Sequence, residues 1–108
     1  MIKNETIDTI INQLVKGLNP EKIILFGSYG YGDPDNDSDL DILVVISESD
    51  QPQYKRARQS YRLLRGIEAP KDIVVLTHQE FQRQVQSHST LAGFASRKGK
   101  VLYERPAA

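Results

Sequence analysis

The sequence predicts one small α/β domain, a sheet packed by helices, and three observations support it. Short runs rich in isoleucine and valine alternate with segments whose apolar residues recur at helical spacing. The 108 residues suffice for one hydrophobic core and fall short of two domains of ordinary size, so residues 1–108 read as a single domain. Hydrophobic residues make up 39% and charged residues 26%, a globular balance unlike that of a disordered chain.

The elements follow in order. Ile7, Ile10, Ile11, Leu14, Val15 and Leu18 share one helical face, which predicts an amphipathic helix over 4–17 with Asn4 placed to cap it. Asn19-Pro20 stops that helix. Lys22 to Phe26 (KIILF) is a buried strand, too short for a helix, and it ends at Gly27. Asp39 to Ile46 (DLDILVVI) is a second strand, alternating at its acidic start and then apolar on both faces, as expected under helices on either side. A helix from about Pro52 to Arg65 carries a stripe of Tyr54, Ala57, Tyr61 and Leu64, with Pro52 in its first turn and Gly66 at its end. Asp72 to Leu76 (DIVVL) is a third strand. Thr77-His-Gln-Glu80 has the form of a capping box, and Phe81, Val85 and His88 continue at helical spacing. A last helix covers Leu91 to Lys98, either separate from the previous one or continuous with it, and Lys100 to Tyr103 forms a short edge strand.

Charge and composition narrow the function. Lys+Arg and Asp+Glu both count 14, so the net charge is zero, which argues against broad electrostatic capture of nucleic acid. The distribution is uneven: Asp33, Asp35, Asp37, Asp39, Asp41, Glu48 and Asp50 follow one another without a base. Lys55, Arg56, Arg58, Arg62 and Arg65 then follow without an acid. An acidic centre beside a basic helix can hold metal ions and a polyphosphate together, or the two can be solvated faces of opposite sign. With no cysteine there is neither a disulfide framework nor a thiolate metal site. No segment approaches the ~20 apolar residues of a membrane span. The beginning lacks the unbroken apolar stretch of a secretory signal, so the cytoplasm is the expected address.

The chemistry concentrates in residues 27 to 41, GSYGYGDPDNDSDLD. Gly27 and Gly32 have the glycine spacing of a P-loop, but Asp33-Pro34 stand where lysine and a hydroxyl are required, and an aspartate there repels phosphate. A dinucleotide fingerprint lacks its last glycine, and a nucleophile elbow fails because Gly27 directly precedes Ser28. Asp33, Asp35 and Asp37 reproduce the first three ligand positions of an EF-hand loop. The pattern then breaks, with Ser38 at the turn glycine and Val44 at the bidentate glutamate.

Asp39 and Asp41 remain. Two residues apart at the start of a strand, they point to one face while Leu40 and Ile42 enter the core. Paired carboxylates repel, and a hard divalent cation coordinated between them relieves the cost; magnesium suits a site with few carboxylates, leaving positions for water and phosphate. Gly27 and Ser28 end the preceding strand with a backbone that phosphate can approach closely and a hydroxyl and amide to bind it.

Gly27, Ser28, Asp39 and Asp41 form Gly-Ser, ten residues, then Asp-x-Asp, and this resembles the signature of the DNA polymerase beta nucleotidyltransferase superfamily. The short length and order of elements are similar to the minimal nucleotidyltransferases (MNT) paired with HEPN-domain partners in toxin–antitoxin modules. That resemblance implies the polymerase-beta-type fold with a small mixed sheet. It also implies that Asp39 and Asp41 bind metal with Asp72 as third carboxylate, two magnesium ions, ATP as substrate, and Gly27 and Ser28 on its β and γ phosphates. Asp72 also has the ordinary reading of a turn or cap residue at a strand start. The activity implied is transfer of AMP to a tyrosine of a HEPN toxin by its antitoxin. The chain is short for a dedicated acceptor domain, consistent with a partner protein supplying the acceptor. Two alternatives are transfer to a small hydroxylated molecule and neutralisation of the partner by contact alone. Many relatives carry Ala-Arg-Gly where this chain has Gly30-Tyr31-Gly32, losing a cation for phosphate; Arg56 and Arg58 are the candidates to substitute for it.

His78 and His88, ten residues apart, do not share a helix face well enough to chelate; His78 is expected in a helical first turn and His88 on a half-buried helix face. Tyr29 and Tyr31 fit packing better than stacking on a nucleobase.

Overall fold

The computed structural model of the chain describes residues 1–106. Its elements are helix α1 (Asn4–Leu18), strand β1 (Lys22–Phe26), a one-turn helix α2 (Ser28–Tyr31), strand β2 (Leu40–Ile46), helix α3 (Gln53–Leu63), strand β3 (Lys71–Thr77), helices α4 (His78–Val85) and α5 (Leu91–Lys98), and strand β4 (Lys100–Glu104). The strands form one mixed sheet in the order β3-β2-β1-β4. β1 runs antiparallel to both β2 and β4, while β2 and β3 are parallel, joined by the α3 crossover. Among the described residues no helix is long and apolar enough to cross a membrane.

The period of two along each strand divides the apolar residues between two layers. Leu40, Ile42 and Val44 of β2, Ile73 and Val75 of β3, and Ile23 and Leu25 of β1 pack with Ile10, Ile11 and Leu14 of α1 and with Leu64 beyond α3. On the opposite face, Ile24, Leu43, Val45 and Leu76 pack with Phe81 of α4 and with Ala92 and Ala95 of α5. Covered on both sides, β2 needs the continuous apolar run that its sequence shows.

Several local expectations are corrected. Asn4 is already helical; Lys3 stands at the N-cap, without a capping side-chain bond. At the other end Asn19 adopts φ 47°, a left-handed conformation that asparagine tolerates, and its amide closes on the Val15 carbonyl. The α3 stripe is also displaced: Tyr54 and Tyr61 are 62% and 39% exposed, and the helix turns Arg56 and Ser60 inward. His88 lies outside any helix, exposed in the turn after α4, where its carbonyl accepts from Arg97. Helices α4 and α5 are separate, because Thr90 Oγ1 accepts from the Gly93 amide and starts a new helix.

Arg56 turns inward because its guanidinium has partners on every side. Nε donates to the Gln51 carbonyl at 2.9 Å, and Nη1 donates to the Val75 carbonyl at 2.9 Å and to Glu80 Oε1 at 2.7 Å. Nη2 donates to Glu80 Oε2 at 3.2 Å, completing a fork on the carboxylate. Glu80 in turn accepts from the Thr77 amide at 2.8 Å while its own amide donates to Thr77 Oγ1, the capping box read from the sequence. A buried cation thus joins α3 to the β3–α4 corner. At the same end of the sheet Glu21 plays a similar part, accepting from Ser47 and pairing with His78 Nδ1 at 2.7 Å.

Arg56→Ala should lower the free energy of unfolding by about 2 to 3 kcal/mol, somewhat below the usual loss for a broken buried pair because Glu80 keeps 34% of its side chain exposed. Denaturant titration measures it. The hydrogen bonds from Arg56 lead the causes that depress Glu80 from 4.5 to about 2, so its stabilisation is complete above pH 4.5 and disappears as pH falls towards 2. Acid unfolding should steepen in that window, and Glu80→Gln should flatten it.

Candidate active site

The chain leaves β1 through Gly27, whose φ of 68° and ψ of −156° lie where L side chains are strongly disfavoured. A Cβ there would also collide with a carboxylate oxygen of Asp41, so glycine is required both for the turn and for the close approach. After Gly27, Ser28–Tyr31 close one helical turn, in which the Gly30 and Tyr31 amides donate to the Gly27 carbonyl. Glycines at 30 and 32 conceal this turn from propensity. Gly30 permits it, because any side chain there would strike the Leu25 carbonyl. Both neighbouring tyrosines pack: Tyr29 Oη accepts from the Ile2 amide at 2.9 Å, and Tyr31 meets the Phe94 ring edge-on at 5.3 Å.

Register brings the carboxylates together. Asp41 pairs with Phe26, the last residue of β1, and on its other side with Asp72 of β3. Directly paired residues share a sheet face, so Asp41 and Asp72 project together from neighbouring parallel strands. Leu40 and Ile42, on the opposite face, are fully buried. Asp39 precedes β2 and is exposed, Asp41 is half-buried, and Asp72 is exposed. Burial first, then the charges of Asp72 and Asp39, raise the Asp41 carboxyl above its ordinary range.

Among the described residues no three acidic side chains stand close enough to enclose a cation by themselves. The cluster is open, and the uncompensated repulsion on Asp41 gives it the electrostatic character of a cation site. Such a donor set fits magnesium, which completes its shell with water and substrate oxygens. Asp35 of the same loop has a different role. Asp35 Oδ1 accepts from the Asp37 amide and from Ser38 Oγ, so it braces its own turn.

Arg56 cannot replace the missing phosphate cation, because its guanidinium is committed to Glu80 and two carbonyls. Arg58 lies over the Tyr54 ring at 5.7 Å on the surface of α3. Helical spacing places Tyr61 in the α3 stripe, yet its hydroxyl reaches Asp72 Oδ1 at 3.4 Å and accepts from the Ile73 amide at 2.9 Å. Helical spacing holds no signal for that contact, since it depends on where α3 lands beside β3.

The raised Asp41 makes a prediction with a definite sign. A carboxyl harder to ionise in the folded state destabilises the protein as pH rises above its unfolded value near 3.8. In buffer with a chelator at neutral pH, Asp41→Asn should therefore raise the melting temperature, by an amount corresponding to less than about 1 kcal/mol. The difference should vanish below pH 3.8. Thermal melts across pH measure both.

The comparisons with known proteins agree with this geometry. Residues 8–107 match the family described as polymerase beta, nucleotidyltransferase. No curated protein matches the sequence significantly. The fold is similar to the crystal structure of a Sulfolobus solfataricus protein provisionally called a nucleotidyltransferase, with a TM-score of 0.66 and 22% identity over 94% of this chain and 79% of the other. With strand order, paired carboxylates and glycine turn in place, and a family match over nearly its whole length, the chain belongs to the polymerase beta nucleotidyltransferase family.

Proposed function

We propose that the protein is a magnesium-dependent adenylyltransferase that moves AMP from ATP to a tyrosine hydroxyl of a HEPN-domain toxin, acting as its antitoxin. The observation that carries the transfer chemistry is the register of Asp41 beside Asp72, with the Gly27 backbone against the Asp41 carboxylate. The acceptor rests on the resemblance of the chain to minimal nucleotidyltransferases that serve as antitoxins.

In this reading Asp39 and Asp41 would hold magnesium, and Asp72 would be the third carboxylate available to a second ion. Bound there, the ions would neutralise phosphate charge and lower the pKa of the attacking hydroxyl. Gly27 and Ser28 receive the β and γ phosphates, the first by allowing close approach and the second by its hydroxyl and amide. The acceptor oxygen attacks the α-phosphorus, the bond from that phosphorus to the bridging oxygen breaks, and pyrophosphate leaves. Asp72 takes the acceptor's proton. The half-buried position of Asp41 strengthens its hold on a cation relative to a fully solvated carboxylate.

Incubation with ATP labelled at the α-phosphate, magnesium and the HEPN partner should place label on a partner tyrosine. Asp41→Asn should reduce transfer at least about a hundredfold, the scale expected when a catalytic metal is lost. A fully active Asp41→Asn protein would refute the metal assignment. Label staying wholly in free ATP would remove the adenylyltransferase reading. If Asp39→Ala Asp41→Ala protein still neutralises the toxin in cells, contact alone accounts for the antitoxin effect.

A further inference from the structure

The β3 strand is an edge of the sheet, and its outward-facing backbone groups recur every second residue. Side chains from α3 and α4 cover three of them in succession: Tyr61 Oη accepts from the Ile73 amide, Arg56 donates to the Val75 carbonyl, and Glu80 accepts from the Thr77 amide. Arg56 and Glu80 spend their remaining capacity mainly on one another. Tyr61 is different. Its oxygen is anchored on the Ile73 amide at 2.9 Å, which leaves the phenolic hydrogen free, and that hydrogen is directed at Asp72 Oδ1, 3.4 Å away.

We infer that Tyr61 is a positioning residue for Asp72. Its hydroxyl, fixed by the edge of β3, holds Oδ1 of the carboxylate and leaves Oδ2 to face the cation and the acceptor, given the reading above that Asp72 is the third carboxylate and takes the acceptor's proton. Three features support a role beyond covering the edge. Asp72, the second residue of its strand, is exposed, so burial does not fix the orientation of its side chain. Its sheet neighbour Asp41 repels it, so an unrestrained Asp72 would turn outward, away from the cluster. A tyrosine supplies a donor without adding a positive charge, so Asp72 keeps its full negative charge for a cation. The separation of 3.4 Å is long for a phenol–carboxylate bond, and such bonds tighten when the complete site assembles.

Tyr61→Phe keeps the ring and removes the hydroxyl. The test compares the wild type, Tyr61→Phe, Asp72→Asn and the double variant, measuring magnesium binding by calorimetry with an ATP analogue that carries a methylene between the α and β phosphorus. Tyr61→Phe should weaken magnesium binding about tenfold, the scale seen when a hydrogen-bond partner of a metal ligand is lost. It should cause no further loss on the Asp72→Asn background. A lowered melting temperature with magnesium affinity within twofold of the wild type would reduce Tyr61 to an edge cover and overturn the inference, leaving the proposed function intact. A full tenfold loss persisting without Asp72 would also overturn it. Wild-type protein that binds no magnesium with the analogue would remove the proposed metal site and this role together. A second readout needs no change at position 61: in protein labelled with carbon-13 at the tyrosine ring, the Tyr61 Cζ resonance should shift on adding magnesium and the analogue, and should stay unmoved in Asp72→Asn. A resonance that does not respond in the wild type counts against the role.

Discussion

The position of β2 between an antiparallel and a parallel neighbour is the constraint on which the rest of the molecule depends. Pairing Asp41 with Phe26 on one side and with Asp72 on the other leaves no freedom in where the acidic cluster forms. A slip of one residue would turn Asp41 into the layer beneath α1 and α3 and bring Leu40 and Ile42 out of it. The buried aliphatic side chains on both faces of β2 make such a slip very unfavourable, because every apolar residue of the strand would change layers at once. The same packing that stabilises the sheet therefore specifies the site.

The cost of that arrangement falls on Asp41. Its carboxylate is partly desolvated, close to two like charges and pressed against a glycine backbone. A site optimised for the stability of the empty protein would place an apolar or neutral residue there. In the proposed reading that charge would serve a cation arriving with substrate, an arrangement in which stability is exchanged for binding. Gly27 belongs to the same compromise, since its backbone conformation and its closeness to Asp41 both exclude a side chain.

Elsewhere, charged groups serve the fold. The basic helix α3 contains the one arginine that the structure buries most deeply, and its role is to cover the edge of β3 and clamp Glu80. Open grooves of about 630 and 500 Å³ lie away from the acidic cluster, one beside Glu21 and His78 and the other between α1 and β4. In the proposed reading the acidic cluster would bind a charged tail and hydrated ions by electrostatics, which does not require an apolar cavity.

Much of this was determined by sequence alone. Periodicity located the long helices and the strands, because a period of 3.6 or of two reflects which faces meet apolar neighbours. Local chemistry located the Thr77–Glu80 capping box and the spacing of Gly27, Ser28, Asp39 and Asp41, since these depend on bonds across a few residues. Tertiary structure decided whatever depends on pairing between distant segments. Asp72 gained a position beside Asp41 only when β2 and β3 aligned in register. Arg56 went inward, and Tyr54 outward, because a carbonyl edge and a carboxylate awaited a guanidinium, a preference that no hydrophobic stripe records. The turn at Ser28–Tyr31 and the hydroxyl of Tyr61 at Asp72 were likewise set by close approach between elements, which one-dimensional patterns cannot encode.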